Sequence, residues 1–244
     1  MGPPIRRFIV LGAGGHGRVV ADLVRTLGYD VVGYADADVG RMGTVADATG
    51  ARVILTQTEL VACGRGERPW PRGASAIALG IGDNGARARA RRTLAHDSLP
   101  ALLHPRAWVS GAARLRAGVV VLAGAVVNTG VRIGDGAIVN SHATVEHDCL
   151  LGSDVHVSPG ATVCGSVTIG DESWIGAGAV IIPGRHLAKR CVVGAGAVVI
   201  RDVAIDATVV GNPAHPLTRV TRHRDAALVI TSEPAYAAAG GVRP

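Results

Sequence analysis

Residues 109–210 read, in blocks of six, VSGAAR LRAGVV VLAGAV VNTGVR IGDGAI VNSHAT VEHDCL LGSDVH VSPGAT VCGSVT IGDESW IGAGAV IIPGRH LAKRCV VGAGAV VIRDVA IDATVV. The first residue of all seventeen blocks is aliphatic, from Val109 to Ile205. The fifth is small or β-branched in sixteen; Arg185 alone departs, which predicts a bulge or a covering neighbour at that hexad. A helix has no period of six, because 3.6 does not divide it. An ordinary strand alternates at two. A strict hexad therefore predicts a solenoid, whose short strands turn a corner and repeat.

An aliphatic residue every six, with a small one four later, resembles the hexapeptide repeat of the left-handed parallel β-helix. The resemblance implies three hexads per triangular coil, hence between five and six coils. The interior of such a prism is narrow, which suits a chain whose one phenylalanine, Phe8, lies outside the repeat.

At 244 residues and 48% hydrophobic content, the chain is long and apolar enough for one or two cores. No uncharged apolar run reaches the length of a membrane span. Arg6 and Arg7 precede a short apolar run that ends in glycines, a strand and turn rather than a signal peptide, so a cytoplasmic location is expected. Cys63, Cys149, Cys164 and Cys191 show no CxxC and no metal spacing; Cys149 and Cys191 read as small hydrophobes of the inward column. The net charge of +6 comes from 24 Arg and the single Lys189, with no aromatic stacking platform beside them. That disfavours a nucleic-acid surface and suits anionic small substrates.

Ahead of the repeat, residues 7–11 read as a buried strand. Gly12-Ala13-Gly14-Gly15-His16-Gly17 follows, then Val19, Val20, Leu23, Val24 and Leu27 at helical spacing. A second strand, residues 31–35, ends at Asp36, nineteen residues after Gly17. Free amides at a helix N-terminus form a phosphate cradle. The α/β segment suffices for half a doubly wound sheet, a mononucleotide half-site; a purely structural glycine turn stays open. Residues 64–73 read as a surface loop and residues 76–81 as a third strand. Asp83 and Asn84 follow its end, where open α/β sheets bind ligands, or where they cap the Arg-rich helix that runs to about Leu94. The expected organisation is α/β plus all-β. A half-Rossmann parallel-sheet domain spans 1–104 and a left-handed parallel β-helix spans 105–214. Residues 215–244 form an extension, with a short helix from Thr218 to Leu228 and a disordered tail.

The register also places side chains. His147 and Gly165 hold the same hexad position eighteen residues apart, so they should share one face on adjacent coils, about 4.8 Å apart. That sets an outward imidazole beside a backbone N–H. Asn140, Asp148 and His156 lie within one coil of His147 and read as one polar cluster. Ala177 and Ala195 are likewise eighteen apart.

Ala13-Gly14-Gly15-His16-Gly17, Tyr34-Ala35-Asp36 and Gly82-Asp83-Asn84, followed by Val145-Glu146-His147-Asp148-Cys149 inside hexads, resemble the NeuD/PglD-type sugar acetyltransferases over about residues 7–214. The resemblance implies a nucleotide-sugar-binding α/β domain, acetyl-CoA as co-substrate, no metal, and a homotrimer. By it His147 is the general base, an imidazole that titrates at about 6.5 and serves at neutral pH. Asp148, one methylene shorter than the Glu of some relatives, orients the ring. Gly165 N–H stabilises the oxyanion. His156 contacts acetyl-CoA and Asn140 the reacting region. Ala177 and Ala195 leave room for the pantetheine, and Gly14–Gly17, Asp36, Asp83 and Asn84 hold the nucleotide.

An amino sugar linked to a nucleotide, of the 4-amino-4,6-dideoxy type, is the expected acceptor; O-acetylation of a sialic-acid-type sugar is the near alternative. Two further readings stay open. One is a carbonic-anhydrase-like zinc site using His142, His147 and His104. The other is a non-catalytic nucleotide-sugar-binding protein.

Overall fold

The computed structural model describes residues 6–217; the helix and tail expected beyond residue 217 lie outside that range. The chain opens with strand β1 (Arg7–Leu11), helix α1 (Gly15–Thr26) and strand β2 (Asp30–Asp36). Strand β3 (Val53–Thr56), helix α2 (Gln57–Gly64), strand β4 (Ala76–Leu79) and helix α3 (Asn84–Arg91) follow. The sheet is parallel throughout, in the order β3-β2-β1-β4, half of a doubly wound sheet. Strand β3 and helix α2 were not expected, yet their signal is present. Val53-Ile54-Leu55-Thr56 is a β-branched apolar run, and Thr56 with Glu59 forms a reciprocal capping box at the start of α2.

Past residue 101 every strand is two or three residues long, and from Leu102 to Val199 each pairs in parallel with the strand eighteen residues away; the last, His215–Pro216, runs antiparallel to Thr208–Val210. The strands form three walls of a left-handed parallel β-helix. The aliphatic hexad column points inward: from Val121 to Val199 each member is at most 5% exposed. Burying one such side chain is worth roughly 1.5–3 kcal/mol before ordering entropy, which a column this long repeats at every corner. At the corners the residue three after each inward aliphatic from Leu115 to Val193 adopts positive φ, whether Gly118, Gly130 or Gly136, or a polar residue such as Asp148, Asp154 or Ser166.

The register differs from expectation at both ends. Leu102–Leu103 already pairs with Val120–Val121, so the solenoid starts one strand before residue 105. At the other end Leu187 bridges Val203, and Val193 pairs with Val209, steps of sixteen. Ile205 is therefore not an inward residue; it is 49% exposed, and Val203 takes its place. Asp206, three after Val203, carries the corner's positive φ. The last coil cuts a corner by two residues where Asp202 accepts from the His186 amide. Arg185 causes no bulge. Its carbonyl accepts from Thr168 as the ladder requires, and its side chain leaves through that shortened corner toward Asp202.

The three walls differ in their outward residues. One presents Leu102, Val120 and Ile138, all buried, then His156 and Trp174. Leu102 and Val120 share a core with Phe8, Val20 and Val24, so the α/β domain sits on this covered wall. A second, charged wall carries Arg114, Arg132, Leu150, Thr168 and His186. The third carries Trp108, Val126, Thr144, Thr162, Val180 and Val198, none of them charged.

Candidate active site

Two constellations lie at two different corners. His147 and Gly165 occupy the corner between the uncharged and charged walls. Ser166 N donates to His147 O, and a methyl group built on Gly165 would lie 2.5 Å from His147 Nε2. The register thus stacks them, and the imidazole lies over Gly165, which is buried beneath it. Asp148 reaches the ring in spite of its short side chain: Oδ2 is 3.0 Å from His147 Nδ1. The positive φ of Asp148 turns its carboxylate back toward the preceding residue. That contact favours the tautomer with the proton on Nδ1 and leaves Nε2 free as a base. Both side chains are more than half exposed in the single chain.

Asn140 and His156 do not join this cluster. The expectation of one polar cluster is corrected: seven residues separate Asn140 from His147, more than one side of the prism, so Asn140 sits at the corner between the covered and uncharged walls. There Asn140 Oδ1 accepts from Ser141 N, which turns its amide nitrogen toward His156 Nε2 at 3.0 Å. His156 Nε2 is thus an acceptor. The ring is stacked beside Trp174 and faces His16, the centroids 6.2 Å apart. Burial, helped by the positive charge of Arg87, pushes His156 down to about 3 and His16 to about 4, so both rings are neutral at pH 7. A role for His156 in touching acetyl-CoA meets a ring already held by Asn140 and flanked by His16 and Trp174. His16 Nε2 is buried with no partner among the described residues.

His142, too, sits at the corner of Asn140, against Gly124, one wall away from His147. The two cannot share a metal within one chain. Among the described residues no group of three His, Cys, Asp or Glu side chains is arranged to hold a metal ion.

His16 connects this corner to a cleft of about 510 Å³ in the α/β domain. Gly14, Gly15, His16 and Asp36 line it. Helix α1 starts there without a side-chain cap or an acidic residue in its first turn, which leaves its N–H groups turned to the cleft. Asp36 braces the glycine loop by accepting from Ala13 N and Asp38 N. Three assignments change. Gly17 is a packing glycine, because a Cβ there would overlap the Gly12 carbonyl oxygen. Asp83 is the N-cap of α3 and accepts from Ala86 N. Asn84, first residue of α3, points at the β-helix; its amide donates to the Glu172 and Ser173 carbonyls and its Oδ1 accepts from Arg87. The cleft instead gains Gln57 and Arg89, which sequence reading missed. The start of α2 brings Gln57 there, and Arg89 lies two residues from Arg87 on α3, facing the cleft.

Ala177 and Ala195 stack on one corner, exposed, with Gly196 N donating to Ala177 O. Neither alanine's own N–H has a partner among the described residues. They continue the corner of Asn140 and leave a strip of small side chains and free amides. No helix among the described residues is long and apolar enough to cross a membrane.

The profile of the PglD N-terminal domain matches residues 7–94, and that of the bacterial transferase hexapeptide, six repeats, matches residues 166–201. Among solved structures the chain is similar to PerB from Caulobacter crescentus in complex with CoA and GDP-perosamine. The identity is 35% over 87% of this chain and 97% of that one, with a TM-score of 0.75. It is 40% identical to the acetyltransferase domain of PglB from Neisseria gonorrhoeae in complex with acetyl coenzyme A, over 87% of this chain and all (100%) of that one, with a TM-score of 0.76. WeeI from Acinetobacter baumannii matches at 28% identity over 87% and 100%, with a TM-score of 0.75. A comparison with curated proteins gave no match. With a PglD-type domain set on a hexapeptide coil, and with relatives this similar across nearly their whole length, the chain belongs to the sugar acetyltransferases of the hexapeptide-repeat acyltransferase superfamily.

Proposed function

We propose that the protein transfers acetyl from acetyl-CoA to the amino group of a nucleotide-linked amino sugar. The observation that carries this is His147, with its Nδ1 on Asp148 and its Nε2 over the Gly165 backbone, on a chain that also holds a helix-N-terminal anion cleft. PerB and the PglB domain, whose structures hold CoA with GDP-perosamine or acetyl-CoA, support the two substrates.

His147 Nε2 takes a proton from the acceptor amine as the nitrogen attacks the thioester carbonyl. The C–N bond forms and the C–S bond breaks. The proton then passes from the imidazolium to the departing thiolate, and CoA leaves as the thiol. Gly165 N–H, on the rung beneath the base, stabilises the oxyanion. Arg89 and the first turn of α1 receive the diphosphate from opposite sides of the cleft. Gln57 offers an amide to the base.

The acting form in this reading is a homotrimer. The uncharged wall, with Trp108 66% exposed at one end, is a surface that water does not favour. Three such walls around a three-fold axis bury it, and closure makes the contact heterologous. Each protomer's Asn140 corner then meets its neighbour's His147 corner at the same coil level. His147 lies beside the cleft of the next chain, and the alanine strip of Ala177 and Ala195 runs along the seam, where pantetheine fits.

The test is thiol release from acetyl-CoA with a panel of nucleotide-linked 4-amino sugars and free sialic acid. Acetylation of one amino sugar, reduced about 10²–10⁴-fold in folded His147→Ala, is the expected result. Turnover only with a sugar hydroxyl, or an undiminished rate in His147→Ala, would overturn it.

A further inference from the structure

Helix α3 carries one side chain that the transfer chemistry does not use and the fold alone does not require: Arg87. It is completely buried, between the α/β domain and the covered wall. All five of its N–H groups are taken. Nε donates to Gly136 O, Nη1 to Ile81 O and Gly82 O, and Nη2 to Asn84 Oδ1 and Asp154 O. Among the described residues Asp154 alone brings a carboxylate within 4 Å, at 3.9 Å, and that carboxylate is held by Arg91. A buried guanidinium given over almost entirely to backbone carbonyls is a costly way to join two domains, since neutral acceptors compensate the lost hydration less well than an ion pair. The position of those carbonyls shows what it fixes. Ile81 and Gly82 line the cleft, and Gly82 lies against His16, whose ring faces that of His156.

We propose that Arg87 is a positioning residue for acetyl transfer: its fork pins the Ile81–Gly82 backbone to the coil at Gly136 and Asp154. One rigid segment then sets both the cleft wall and, through His16, the setting of the His156 ring. Asn140 holds the same ring from the other side, and its amide requires Nε2 unprotonated. The proton of the neutral ring is therefore on Nδ1. A charge without the planar fork cannot hold two adjacent carbonyls and the facing coil together. The catalytic part of the proposal rests on the acetyl-transfer reading; the part about the ring does not.

The experiment uses the full chain labelled with [15N]histidine, as wild type, Arg87→Met and Arg87→Lys. In the wild type the His156 nitrogen shifts should report the Nδ1–H tautomer at neutral pH; an Nε2–H ring there would overturn the proposal without any variant. Arg87→Met, assayed at a temperature where its circular dichroism matches wild type, should lose that single tautomer. Its kcat should fall about 100-fold, the effect of a misplaced reacting group, with a raised KM for the nucleotide sugar and an unchanged KM for acetyl-CoA. Arg87→Lys should not restore turnover. Wild-type kinetics and an unaltered His156 signal in folded Arg87→Met would overturn the proposal, as would full rescue by lysine. If the wild type transfers no acetyl group, the functional reading fails, and the tautomer measurements still decide the role of Arg87.

Discussion

At the scale of single residues, Gly165 separates packing from chemistry. Alanine occupies the same hexad position at 117, 123, 177 and 195, so the backbone there accepts a Cβ. At Gly165 that Cβ would lie 2.5 Å from His147 Nε2, the far end of an exposed side chain that can move away. Gly165→Ala should keep the wild-type melting temperature and lose turnover about as severely as His147→Ala. Calorimetry and the thiol assay measure the two, and an active Gly165→Ala would show that the imidazole need not lie over that amide. His16 and His156 make a second residue-level prediction. Both are pushed below the usual histidine value, to about 4 and about 3, so between about pH 6.5 and 4 the unfolded chain binds protons that the folded chain refuses. Their contribution is complete above pH 6.5. It is lost as the pH falls through that window, at roughly 1.4 kcal/mol per ring for each tenfold rise in proton concentration. Arg87, each other's ring, Asn140 and Trp174 are the groups that face them. Asp47, held below the usual carboxylate range by Thr49, Tyr34 and Arg25, titrates in more acid solution and leaves that window clear. Urea unfolding at pH 7, 6 and 5 should show a falling midpoint, and His16→Gln should flatten the slope.

At the scale of elements, the uncharged wall is a surface whose composition has no account within a single chain. A charge placed at its centre should stay harmless to the coil, because the outward residues of the wall do not enter the core. Thr162→Arg is expected to give folded monomers by sedimentation, with little acetyl transfer; an active, trimeric variant would put the contact elsewhere. The elements themselves were legible to different degrees. The hexad was readable because a narrow prism admits only aliphatic residues at one position in six. Its stacking of His147 on Gly165 followed from counting alone. The break at Ile205 was not readable: Val203 and Ile205 are equally suited to the interior, and the choice lies in how Asp202 cuts the corner. The false cluster of Asn140 with His147 came from counting distance along the chain where the prism turns a corner. Asn84 and Arg87 were opaque for a different reason, since their partners lie 49–89 residues away on another domain.

At the scale of the whole molecule, the two corners decide how many chains make one site. His147 and its carboxylate stand at one edge of the uncharged wall; Asn140, His156 and the route to the cleft stand at the other. Where His147→Ala and His156→Ala are each inactive alone, a reaction completed within one chain leaves any mixture inactive too. If each site joins one edge of a protomer to the opposite edge of its neighbour, mixed trimers contain some sites with both edges intact. Random assembly of equal amounts of His147→Ala and His156→Ala chains makes about a quarter of the sites whole, because each edge is independently sound in half the chains. Dissociating the two variants, mixing them and reassembling the trimer should therefore restore activity toward that fraction. Simply combining the intact trimers, without exchange, should restore none. Recovery would fix the pairing of edges that the coil levels suggest, and a mixture that stays inactive after demonstrated subunit exchange would mean that His147 serves the cleft of its own chain.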